Sequence, residues 1–149
     1  MRHRLHNSLP RRHRRTIYAL TGALVISGLG WLVAAYLLAP AGEPTPAPHL
    51  LAGTMFAAHG IAAYAALFAF ALVAHVHMRT GWRVPALRSG ATWLCASIAV
   101  LALTGLGFYY VATESAVPFL RWTHVAAGVL LPGALALHIM RGRRATGQH

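Results

Sequence analysis

Two histidines, His124 and His138, stand fourteen residues apart in the apolar stretch that closes the chain. At about 100° and about 1.5 Å per residue, fourteen helical steps return the second ring to within about 40° of the first, about 21 Å along the axis. An earlier apolar stretch holds His59, His75 and His77. His77 lies eighteen steps from His59, in phase to about 0° and about 27 Å away, whereas His75 lies sixteen steps on and about 160° around. His59 and His77 therefore share one helix face, and His75 points elsewhere. Neutral imidazoles are metal ligands and proton carriers, and an ionisable side chain inside an apolar span usually marks a functional site.

The elements that must carry these rings are membrane helices. The chain has 149 residues, 57% hydrophobic and 10% charged, with a mean hydropathy of +0.54, too apolar for an ordinary soluble domain. Four apolar runs, at about 16–39, 50–77, 90–112 and 117–140, each reach the roughly 20 residues that cross a hydrocarbon core. A backbone in lipid must satisfy its own hydrogen bonds, so the expected fold class is an all-α four-helix transmembrane bundle. No linker is long enough to separate domains within residues 16–144. Residues 1–15 form a basic tail and 145–149 a short one.

Charge placement sets the expected orientation. All thirteen basic residues are arginine, and twelve fall in the N-terminal tail, the connection with Arg79, Arg83 and Arg88, or the C-terminal end with Arg141, Arg143 and Arg144. The remaining loops hold Arg121, Glu43 and Glu114. The positive-inside rule then places both termini in the cytoplasm of a multi-pass protein of the bacterial inner membrane. A net charge of +11 arranged this way reads as a topology signal that also touches anionic lipid, not as a nucleic-acid site. The first apolar run, about 24 residues, outlasts the 7 to 15 residues of a signal-peptide h-region, and the first helix is expected to be retained. Cys95 is the only cysteine, so one chain builds neither a disulfide nor a thiolate metal site.

An internal repeat appears on aligning the first and third runs. Ser27-Gly28-Leu29-Gly30-Trp31 matches Thr104-Gly105-Leu106-Gly107-Phe108, and each is followed across an outer loop by a helix with one histidine near each end. The chain reads as two helical hairpins running the same way, with any symmetry axis along the membrane normal.

In this topology His59 and His124 lie near the outer side, His77 and His138 near the inner side. Two pairs of imidazoles on facing helices are what two b-type haems need, one axial ligand from each helix with the macrocycle in the apolar core. The expected ligands are His59 and His124 for an outer haem iron, and His77 and His138 for an inner one. The axial separations of about 27 Å and about 21 Å differ, and tilt or local distortion must absorb the difference. Gly28, Gly30, Gly105, Gly107 and Gly128 suit either the approach of a flat macrocycle or close helix packing. Arg79, Arg83 or Arg141 inside, and Arg121 or Trp122 outside, are available to haem propionates or as interfacial anchors.

Four helices and histidines at these spacings resemble the small di-haem b-type membrane cytochromes, broadly the cytochrome b561 type and the cytochrome b subunits of respiratory enzymes. The closer likeness is to short bacterial four-helix membrane proteins with patterns like His59-Gly60, His77 followed by Trp82, Arg88-Ser89-Gly90, Thr104-Gly105 with Tyr109-Tyr110, and His124 with Gly128. The resemblance covers nearly the whole chain through short motifs. It implies haem b, single-electron transfer across or within the membrane, a quinone and a redox partner protein. Bacterial members of the better-known family place a ligand in the first helix, where this chain offers Tyr18 and no histidine. No ligand is therefore carried onto that helix.

Two other classes use the same features: a histidine-based metal or proton transporter, and a cofactor-free scaffold or assembly protein. The transporter is disfavoured because no Asp or Glu lies within a span. Two acidic residues, no Gly-rich phosphate loop and no ordered Ser-His-Asp set argue against enzymatic activity of the chain's own.

Overall fold

The computed structural model describes residues 10–38, 50–81, 85–111 and 113–146. They form four helices: α1 Arg11–Tyr36, α2 Leu50–Gly81, α3 Pro85–Tyr110 and α4 Ala116–Thr146. The fold class is all-α, with no strand among the described residues. Each helix is long and apolar enough to cross a membrane, and this is a multi-pass membrane protein.

The helix ends follow local chemistry. Pro85 opens α3, where its missing N–H would have had no partner in any case. Thr113 prepares α4, its hydroxyl and carbonyl oxygens accepting from the Ala116 N–H at 3.3 and 3.0 Å. At the end of α1 the Leu37 and Leu38 N–H groups both donate to the Val33 carbonyl, at 2.9 and 3.2 Å. Several helices outrun their apolar runs at the basic ends. α1 already starts at Arg11, so five residues of the expected tail are helical, and α4 continues to Thr146 through Arg143 and Arg144. Those two cations suit the negative end of the α4 dipole.

The chain divides into two compact units, Ser8–Met78 and the segment from Arg79 onward. The first holds an α1–α2 hairpin, the second an α3–α4 hairpin. In the second, rising positions on α3 meet falling positions on α4: Gly90 faces His138, Leu101 faces Gly128, Thr104 faces His124 and Gly107 faces Leu120. The two helices are thus antiparallel along most of their length. Pro132 sits inside α4, between His124 and His138, and cannot donate to the carbonyl four residues before it.

Small residues fill the buried positions, namely Ala34 and Ala35 on α1, Ala52 and Ala62 on α2, and Ser27 and Thr104 among polar side chains. Ile26, Tyr64, Phe68, Leu103, Phe119 and Leu130 are exposed. Lipid tails are as apolar as these side chains, so nothing drives them inward, and close backbone approach through small residues holds the helices together.

Candidate functional site: two hydroxyl-held histidines

Among the described residues, Ser27 and Thr104 are the only buried polar side chains, 5% and 7% exposed, and each holds a histidine ring. In the first hairpin Ser27 Oγ lies 3.1 Å from His59 Nδ1. The same ring nitrogen lies 3.1 Å from the Leu24 carbonyl oxygen, one turn earlier on α1. In the second hairpin Thr104 Oγ1 lies 2.7 Å from His124 Nδ1. Both hydroxyls also reach their own helix: Ser27 donates to the Ala23 carbonyl at 2.6 Å, and Thr104 to the Val100 carbonyl at 2.7 Å.

The repeat extends to the packing beneath each ring. A Cβ built on Gly28 would stand 3.2 Å from His59 Cε1, and one built on Gly105 would stand 3.8 Å from His124 Cε1. One turn before each histidine, Met55 and Leu120 press on the second glycine of the motif. A Cβ at Gly30 would lie 2.8 Å from Met55 Sδ, and one at Gly107 would lie 3.0 Å from Leu120 Cδ2. At Gly128 the Leu101 side chain is the neighbour, 3.8 Å from a built Cβ. Of the two roles open to these five glycines, the contacts display close packing within each hairpin. Phe108 adds an edge contact in the second hairpin, its ring centroid 6.0 Å from that of His124.

His59, His77, His124 and His138 are all half-buried, whereas His75 is exposed. His75 lies about 160° around α2 from His59. At the other end of the second hairpin, His138 packs over Gly90. A Cβ there would stand 3.6 Å from His138 Nδ1 and 3.9 Å from an Arg141 guanidinium nitrogen. Arg121 is half-buried and Trp122 exposed. Trp82 and Arg83 lie outside the described residues, as do His3, His6, His49 and His149.

The two hydroxyl-held histidines are related by the repeat, and the other two are not. Carrying the His59-to-His124 correspondence along α2 and α4 sets His77 against Gly142 and His138 against Val73. Among the described residues no three His, Cys, Asp or Glu side chains gather as a metal site. In the sequence both histidines stand out, whereas Ser27 and Thr104 are only letters of a repeat. The signal for them is that a hydroxyl residue precedes the first glycine in both copies, inside an apolar span where its O–H must find a partner.

Comparison of the chain with protein-family models, with curated proteins and with solved structures finds no match.

Proposed function

We propose that this protein is a di-haem b-type cytochrome that transfers electrons across or within the bacterial inner membrane, with both termini cytoplasmic. His59 and His124 would hold the outer haem iron, and His77 and His138 the inner one. Bound haem supplies reversible one-electron chemistry, and a quinone and a redox protein are the fitting partners.

One observation carries the reading. The two outer histidines occupy equivalent places in two separately packed hairpins, each with its Nδ1 edge on an intramembrane hydroxyl. A metal-ligating histidine characteristically presents one ring nitrogen to the metal while the other is held by an oxygen partner. The donor set fits an axial haem ligand: a half-buried imidazole, orientated through Nδ1, in an apolar span. The chain's own contribution is to fix the ring plane, exclude water with apolar helices and keep carboxylates out of the spans.

Purified protein tests this reading. Reduced b-type bands that disappear on replacing the four histidines support it. A folded, colourless protein leaves a cofactor-free scaffold as the better account.

A further inference from the structure

The hydrogens of the two hydroxyls decide the protonation of the rings they hold. A serine or threonine has one O–H to give and two lone pairs to accept with. Each hydroxyl has carbonyls of its own helix to take that hydrogen: Ala23 at 2.6 Å and Leu24 at 3.3 Å for Ser27, Val100 at 2.7 Å and Leu101 at 3.2 Å for Thr104. Toward the imidazole each oxygen is then left to accept. A carbonyl can only accept, and Leu24 O at 3.1 Å requires the hydrogen of His59 to be on Nδ1.

We infer that Thr104, and Ser27 together with the Leu24 carbonyl, are positioning groups that fix His124 and His59 as the Nδ1–H tautomer, placing each ring's lone pair on Nε2. A neutral imidazole free in water favours the other tautomer, so the hairpins impose this one. The same device appears twice because the Ser/Thr-Gly-Leu-Gly motif appears twice. Its consequence for haem rests on the proposed function: Nε2 is prepared as the iron-binding nitrogen, and the Nδ1–H bond to oxygen makes the imidazole a more basic ligand. The tautomer itself does not depend on that reading.

The test uses the full chain in detergent, with ¹⁵N-labelled histidine, produced with haem synthesis suppressed. The ¹⁵N shifts of both ring nitrogens report the tautomer directly. The wild type should show His59 and His124 protonated at Nδ1 and unprotonated at Nε2. Thr104→Val keeps the side-chain shape and removes the acceptor, so His124 should shift toward Nε2–H, and Thr104→Ser should restore the original spectrum. Ser27→Ala should leave the His59 tautomer in place, because the Leu24 carbonyl remains. A second arm loads the chains with haem: Thr104→Val should weaken haem retention by about 10- to 100-fold and raise the reduction potential, and Thr104→Ser should not. Nε2–H rings in the wild type overturn the inference, as does a folded Thr104→Val chain with unchanged His124 shifts. If that variant does not fold, the wild-type and Thr104→Ser spectra decide. A wild type with Nδ1–H rings that takes up no haem keeps this inference and removes the haem reading.

Discussion

Thr104 on α3 and His124 on α4 meet at 2.7 Å across the second hairpin, and Ser27 and His59 repeat that meeting at 3.1 Å across the first. The loops joining the helices differ in length, since 32 residues separate the first pair and 20 the second. The contact is therefore set by the helix faces rather than by the connection. A hydroxyl bonded to its own helix adds little bulk, and the glycine beside it lets the opposing ring come close.

That closeness makes Gly28 sensitive. A methyl group there would sit 3.2 Å from His59 Cε1, and the ring cannot retreat without stretching its bonds to Ser27 and Leu24. Gly28→Ala should destabilise the hairpin by about 1–3 kcal/mol, the usual range for overpacking. Gly22→Ala on the same helix meets nothing within 4 Å and should be neutral or mildly stabilising. Thermal unfolding in detergent compares the two, and equal effects would contradict the packing described.

Topology can be read with reporter fusions. The arginine distribution predicts that fusions after residues 45 and 116 report the outside, and that fusions after residue 85 and at the C-terminus report the inside. A C-terminal reporter active on the outer side would invert the orientation.

Ligand replacement separates neighbouring histidines on α2. His77 is half-buried and His75 exposed, so His77→Ala should remove the inner haem signal while His75→Ala leaves the spectrum nearly intact. His138→Ala should remove the same inner signal, and His59→Ala and His124→Ala should both remove the outer one. Loss of the inner signal in His75→Ala alone would reverse the face assignment.

Much of this architecture is legible in the sequence, for physical reasons. Apolar runs of spanning length dictate helices, because lipid offers the backbone no other partner. The repeat around Gly28 and Gly105 is visible because close helix approach tolerates so few side chains there. Phase alone separates His77 from His75, since the helical period is fixed by backbone geometry. Helix ends are less legible: hydropathy registers side chains, whereas the backbone ladder of α1 runs on beneath Arg11 and Arg15. The bonds from Ser27 and Thr104 to the histidines are illegible from spacing within one helix. They depend on the rotation of α1 against α2 and of α3 against α4.

The most direct measurement is the reduced-minus-oxidised visible spectrum of the purified full chain, taken with its haem-to-protein ratio. A di-haem b-type cytochrome should give low-spin b-type bands and about two haems per chain, falling to about one in His124→Ala. A folded, four-helix protein with no haem bands, purified from cells with haem in supply, would contradict it.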